Sequence, residues 1–379
     1  MEQSIKILFI SHDAYRAGAQ LLLLNLIKWI RNNRRDFEMA LLLKDGGNLE
    51  SEFSKLLPVY KWPGNNPEQT SSFKLFKTSP KNQLLNTFRK ESYDLIYSNT
   101  IMNGDILEEL AALNVPVILH VHELDYWIQR SGQDNIDTNR KCSSAVIAAS
   151  GAVKKYLTTI CEFDPEKVEV IYEYTSSKDL AIKASLKQKL GIDNDVILIG
   201  GCGAENWRKG KDLFLSVAIT TLHAIEEKNI HFVWIGGQLS EELKHDLQHS
   251  GLSQRIHFID HLPGASAYFH DINIFLMTSR EDPFPVVNLE FGLRGIPVLC
   301  FSDSGGTPEL LQNQPDMIIP FGDIGAMSTR LIDLLINEQE AHFLGSKLKN
   351  EIEDKFEIEI IMPKIMDCIN RVKLQKANY

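Results

Sequence analysis

Thr278-Ser279-Arg280-Glu281-Asp282-Pro283-Phe284-Pro285-Val286-Val287-Asn288-Leu289-Glu290, continued by Phe291-Gly292-Leu293-Arg294-Gly295, Ile296-Pro297-Val298-Leu299-Cys300-Phe301 and Ser302-Asp303-Ser304-Gly305-Gly306-Thr307-Pro308-Glu309, decides the fold of this chain. The mostly apolar run Ile272–Met277 leads in as a strand. A polar loop carrying Asp282 follows. A helix is expected from near Pro285, since proline suits the first helical position, to Gly295, a favoured stop. A second buried strand, Val298–Phe301, ends in a glycine turn that opens another helix, with Thr307 as N-cap and Pro308 behind it.

Two strand–loop–helix units in succession bring helix N-termini and a glycine-rich turn outside the carboxyl ends of parallel strands, where such sheets bind ligands. Backbone N–H groups there suit phosphate, and carboxylates on the loop and helix accept hydrogen bonds from hydroxyls. Phosphate donors beside hydroxyl acceptors describe a sugar-nucleotide pocket.

Asp282, seven residues and then Glu290 resembles the paired-acid signature of the retaining GT-B glycosyltransferases of family 4, in which the first acid is more often Glu. The following helix, strand and Gly305-Gly306-Thr307-Pro308-Glu309 turn match as well. The resemblance implies an α/β chain of two Rossmann-like domains facing a cleft, the GT-B fold. It implies a hexosyltransferase-type enzyme that moves a sugar from a nucleotide-sugar donor, a UDP-sugar, to a saccharide or lipid-linked acceptor with retention of configuration, in polysaccharide or envelope glycan biosynthesis. Glu290 would hold the ribose hydroxyls. Lys209 and the amides of Gly305, Gly306 and Thr307 would hold the diphosphate. Asp282 and the backbone after it, at Phe284 and Pro285, would hold the donor sugar.

The 379 residues suffice for two ordinary domains, and 44% hydrophobic with 24% charged residues is a globular composition. No run of eighteen apolar residues is present, and the start Met1-Glu2-Gln3-Ser4 leads straight into a core strand without a signal-peptide pattern. The five scattered cysteines, Cys142, Cys161, Cys202, Cys300 and Cys368, form neither metal spacing nor a disulfide framework, which fits a reducing cytoplasm. A formal charge of −10 argues against nucleic acid as a partner. Basic Lys74, Lys77, Lys81, Arg89 and Lys90 alternate with Phe73, Leu75, Phe76, Leu84, Leu85 and Phe88, and Pro80 divides this segment into two short helices. Its composition fits a half-buried helix with a solvated face. The resemblance adds a peripheral contact with the inner membrane face, since many such transferases use lipid-linked acceptors.

The first half opens with the strand Lys6–His12, a loop to Gly18 and a helix Ala19–Ile30. A G-x-G-x-x-G motif is missing, so a nicotinamide cofactor gets no support. The family usually has two glycines where Ala17-Gly18 stands, which leaves Gly18 as the close-approach position on the acceptor side. Further strands are expected at Met39–Leu43, Asp94–Tyr97, Val115–Val121, Ala145–Ala149 and Val168–Ile171, alternating with helices. His122, in His120-Val121-His122-Glu123, stands where the family often has a histidine near the reacting sugar, whereas His120 reads as structural. Relatives usually follow the last strand of this half with Asn-Gly; this chain has Tyr172-Glu173-Tyr174.

The second half restarts at Val196–Gly201, with strands also expected at His231–Ile235 and Ile256–Ile259, the latter followed by the loop Asp260-His261-Leu262-Pro263. The family's loop arginine is replaced here by Ala204, while Lys209 keeps the lysine position; Arg208, one residue off, is expected to point elsewhere. The domain boundaries are 1–175 and 190–355, with a terminal helix in 356–379 crossing back to the first domain. No cofactor and no metal is expected: the single Asp-x-Asp, Asp193-Asn194-Asp195, precedes a strand and so lies at the wrong end of the sheet. A GT-B-type sugar-nucleotide epimerase and a non-catalytic nucleotide-sugar-binding partner subunit stay open as alternatives.

Overall fold

A computed structural model of the chain describes residues 4–64, 79–177, 184–225, 229–260 and 262–376. His261, Lys74, Lys77, Phe73, Leu75 and Phe76 lie outside the described residues. The chain divides into two compact units, Met1–Ile171 with Met362–Tyr379, and Tyr172–Ile361.

Among the described residues the first unit carries a seven-stranded sheet of β1 (Ile5–Ser11), β2 (Phe37–Leu43), β3 (Val59–Lys61), β4 (Leu95–Ser98), β5 (Val117–Val121), β6 (Ala145–Ala148) and β7 (Val168–Val170), in the order β3-β2-β1-β4-β5-β6-β7. Every pairing is parallel. Strands covered on both faces must be apolar throughout, and β4, β5 and β6 are buried at every position. The short edge strand β3 has no apolar run of its own to announce it.

A helix starts at Pro80, as expected for the later part of the basic segment, and runs Pro80–Glu91, with the Ser79 hydroxyl accepting from Asn82 N at 3.2 Å; the part before Ser79 lies outside the described residues. Leu85 and Phe88 from this helix pack with Leu8, Ile10, Ala40, Leu42 and Ile96, so its apolar face belongs to the core. Arg89 and Lys90 are exposed, and Lys81 is paired with Glu109.

The second unit repeats the pattern with β8 (Ile197–Cys202), β9 (Ile230–Ile235), β10 (Ile256–Ile259), β11 (Ile274–Met277), β12 (Val298–Phe301) and β13 (Ile318–Ile319), in the order β10-β9-β8-β11-β12-β13, again all parallel. In each sheet the strand order reverses beside the first strand, between β1 and β4 and between β8 and β11. Loops leaving such a pair diverge to opposite faces and open a crevice. The helix after β11 is shorter than expected, Val286–Gly292, with Pro285 as its N-cap; the chain then turns to Gly295, which takes φ +72°. The last helix runs Ile358–Lys376, and its residues from Met362 belong to the first unit, where Arg371 pairs with Glu169.

Candidate functional site

The loop after β8 tightens into a single turn, Trp207–Lys209, whose start is capped by the Asn206 side chain accepting from Arg208 N at 3.1 Å. Gly210 then takes φ +67°, and a β-carbon there would lie 2.0 Å from the Thr278 carbonyl oxygen, so only glycine lets the two loops meet. Thr278 Oγ donates to Gly210 O at 2.9 Å, and Arg280 N donates to Arg208 O at 2.7 Å. The loops after β8 and β11 are thereby one assembly.

Asp282 sits at its centre, 5% exposed. Its Oδ2 accepts from the Lys209 ammonium, lies 3.5 Å from an Arg208 guanidinium nitrogen and 3.5 Å from Ser279 Oγ. Arg208 therefore does not point elsewhere. The tight turn brings its guanidinium onto the same carboxylate as Lys209, and a further bond to Glu281 O at 3.2 Å fixes it there. Asp282 is joined through its backbone to the glycine turn: Asp282 N donates to Ser304 O at 2.8 Å and Gly306 N to Asp282 O at 3.0 Å. Gly305, in that turn, has φ +109°.

Thr307 is not the N-cap. Gly306 takes that place in a four-residue helix, Thr307–Leu310, and the buried Thr307 hydroxyl accepts from Asn288 Nδ2 at 2.9 Å. The Phe284 ring is buried against Tyr172 and Phe356, with centroids 4.9 and 5.4 Å away, so that residue offers a ligand only its backbone. Tyr172 Oη in turn donates to Glu309 Oε2 at 3.0 Å, and burial first, then Glu309, pushes the phenol up to about 12. Half-buried Glu290 lies on the helix Val286–Gly292. Burial pushes the Cys202 thiol up to about 12, while Lys209 acts to lower it and Glu290 to raise it.

In the first unit the reversal point between β1 and β4 gathers different chemistry. His122 Nε2 lies 3.2 Å from Asn99 Oδ1, and Asn99 Nδ2 donates to Ala19 O at 2.8 Å. His12 Nε2 lies 3.1 Å from Asp13 and 3.2 Å from Gln20 Nε2. Burial raises the Asp13 pKa, but hydrogen bonds from His12, Tyr15 N and Gln20 outweigh it and leave the carboxyl below its usual range. His120 is fully buried against Tyr97 Oη at 2.7 Å; burial, then the neighbouring His122, holds it well below the usual imidazole range. Gly18 starts the helix Gly18–Asn33, with open space where a β-carbon would stand. Asn99, His12, Asp13 and Gln20 escaped the sequence reading, although His12 and Asn99 each follow immediately after a strand flanking the reversal.

The model of the family described as Glycosyltransferase Family 4 matches residues 16–173, and that of Glycosyl transferases group 1 matches 193–337. The chain belongs to the group 1, family 4 glycosyltransferases. Its similarity includes the O-antigen biosynthesis glycosyltransferase WclY of Escherichia coli, 29% identical over 197 residues, 50% of this chain and 52% of that one. The capsular polysaccharide biosynthesis glycosyltransferase CapM of Staphylococcus aureus is 22% identical over 240 residues, 60% of this chain and 62% of that one. The chain thus spans between half and two thirds of the length of these curated relatives. Among solved structures, Anabaena Alr3699/HepE in complex with UDP superposes with a TM-score of 0.80 at 21% identity, covering 97% of this chain and 100% of that one. WaaG, a glycosyltransferase involved in lipopolysaccharide biosynthesis, does so at 0.72 and 13% identity, covering 96% and 99%. The two-unit α/β architecture is that of the family, the GT-B fold.

Proposed function

We propose that this chain is a glycosyltransferase that moves a sugar from a nucleotide-sugar donor, a UDP-sugar, to a saccharide or lipid-linked acceptor in polysaccharide or envelope glycan biosynthesis, with retention of configuration. The observation that carries this reading is the Asp282 carboxylate held by Lys209 and Arg208 between two loops at the reversal point of the second sheet. Two cations beside the Gly305–Thr307 amides suit a diphosphate whose negative charge grows as it leaves. Arg208 offsets the missing family arginine at Ala204, because it reaches the same carboxylate as Lys209. An arriving diphosphate would compete with Asp282 for both cations and release its oxygens for a sugar hydroxyl. Glu290, on the helix Val286–Gly292, would accept from ribose hydroxyls in this reading.

The HepE structure contains UDP, and WclY and CapM are named for O-antigen and capsule biosynthesis; these support the UDP donor and the glycan acceptor for this chain. His122 and the Gly18 helix start belong to the acceptor side in this reading, and no metal takes part. None of the described helices is long and apolar enough to cross a membrane. A cytoplasmic site of action with peripheral contact at the membrane face fits a lipid-linked acceptor.

The test is a thermal-shift panel of UDP, GDP, ADP, CMP and NAD without added metal, since a ligand of the folded state alone raises the midpoint by mass action. A selective shift with UDP is expected. A shift with NAD alone, or with none of the five, would overturn the reading.

A further inference from the structure

Trp207 is 61% exposed, against 37% for Trp127 and 1% for Trp234, and it sits two residues before Lys209. It is nevertheless held in place. The Arg280 guanidinium lies over its ring, 5.0 Å from the centroid, and donates to Trp207 O at 2.9 Å. Arg280 is itself clamped by both oxygens of Asp212, at 2.8 and 2.5 Å; that hydrogen bonding, against the opposing effect of burial, keeps the Asp212 carboxyl below its usual range. A large apolar ring fixed in solvent costs hydration free energy and loses little entropy when a ligand covers it.

Trp207 borders a cavity of about 290 Å³ shared with Glu205, Asn206, Gln238, Ser240 and Leu243. The buried Lys211 ammonium fixes the wall opposite by donating to Gly237 O at 2.8 Å and Gln238 O at 2.6 Å. Asn206 uses its Oδ1 on Arg208 N, which leaves its NH₂ as a donor. Gln238 uses its NH₂ on Asp260 at 3.3 Å, which leaves its carbonyl as an acceptor. Glu205 is an exposed carboxylate acceptor.

The geometry points to a saccharide subsite at Trp207, distinct from the Lys209–Asp282 site, that takes one pyranose ring. A pyranose has an apolar C–H face to lie on an indole and hydroxyls around its rim to meet an amide donor, an amide acceptor and a carboxylate. The volume falls just below the range of about 300–1,000 Å³ for small-molecule sites, so it suits one ring and not a whole nucleotide-sugar. The Glu205 charge, with Lys211 already committed, disfavours a phosphate. This deepens the transferase reading, and rests on it, by giving the saccharide side of the reaction a place on the second unit.

Saturation-transfer difference NMR on the full chain, with maltose, cellobiose, lactose and N,N′-diacetylchitobiose offered separately and no nucleotide, tests it. At least one disaccharide is expected to show transfer concentrated on the C–H protons of a single ring. Trp207→Ala should weaken that binding by at least about tenfold, the loss of one good aromatic contact, while Trp207→Phe retains it. Glu290→Ala should leave it unchanged. No transfer from any of the four sugars, or equal binding by Trp207→Ala, overturns the subsite. Saccharide binding that depends on Trp207 in a protein that UDP does not stabilise would uphold the subsite and sink the transferase reading instead.

Discussion

The two sheets reverse their strand order at equivalent places, yet the groups gathered there are of opposite kinds. Around the β1–β4 reversal stand imidazoles, amides and the carboxylates of Asp13 and Glu123, the latter accepting from His122 N at 3.0 Å, in bonds of 2.6 to 3.2 Å. Between β8 and β11 stand two cations on one buried carboxylate. The first set can accept and donate to hydroxyls and pass a proton; it cannot neutralise a diphosphate. The second can. Topology fixes where a ligand goes, and the few residues after each strand fix which part of it goes there.

The largest expected effect separates turnover from binding at the charged site. Asp282→Ala should lower kcat by at least about 100-fold, the scale for removing a group that acts on the reacting sugar. UDP affinity should hold or improve, because Lys209 and Arg208 lose their internal partner. Steady-state transfer kinetics with a UDP-sugar, alongside calorimetric titration of UDP, measure both. A large loss of UDP affinity would show that Asp282 holds the nucleotide.

Next in size is the direct comparison of the two reversal points. Glu290→Ala should weaken UDP binding about tenfold, more than Asp282→Ala does, the scale of hydrogen bonds to a charged group. His122→Ala should leave UDP affinity within about twofold while reducing kcat. If His122→Ala costs as much UDP affinity as Glu290→Ala, the division of labour between the units fails.

Much of this was legible beforehand. β12 falls on the residues its apolar run predicts, because a parallel strand buried on both faces has no polar alternation to blur its ends. β3 and β13 were not legible: strands of three and two residues at or near an edge carry too few apolar positions to form a pattern. At the site, Asp282, Lys209 and the glycine turn could be read because their spacing is tied to strand–loop–helix steps. Arg208 was misread because a tight turn, not sequence neighbourhood, decides where its guanidinium points. Asn99 could not be read, because its partner Ala19 meets it only once β1 and β4 are adjacent, whereas Gln20 meets His12 and Asp13 within the local step from β1 to the first helix.

The units differ again in where their imidazoles stand. In the first they lie at the carboxyl ends of strands, whereas His231 and His257 lie near the starts of β9 and β10, away from the site. The two rings are 2.9 Å apart at their nearest nitrogens; burial first, then His231, pulls His257 from 6.5 down to about 4, and Arg255 acts on His231 in the same sense. The folded chain thus binds fewer protons than the unfolded one between those values. The stability this contributes is full above about pH 6.5 and is lost as pH falls toward 4, an effect of about 1–2 kcal/mol once solvent screening of a partly exposed ring is allowed for. His257→Gln should flatten the unfolding midpoint over that range and leave UDP affinity at pH 7 unchanged. An unchanged pH slope would assign the acid sensitivity to the first unit's histidines instead.

The smallest effect concerns Tyr172, the first residue of the second unit. Its hydroxyl reaches Glu309 at the end of the glycine turn, and its ring packs on Phe284, two residues after Asp282, and on Phe356. One side chain therefore braces both halves of the charged site from behind. Tyr172→Phe keeps the ring contacts and removes a single hydrogen bond to a carboxylate, so it should cost about 1–2 kcal/mol of stability by chemical denaturation. If the brace matters to the donor, UDP affinity should fall two- to threefold and kcat by a similar or larger factor, because the negative charge facing the Gly305–Thr307 amides grows as the diphosphate leaves. The loss of stability without any change in UDP affinity would reduce Tyr172 to packing. It would also show that the turn keeps its shape through the Asp282 backbone pairing alone.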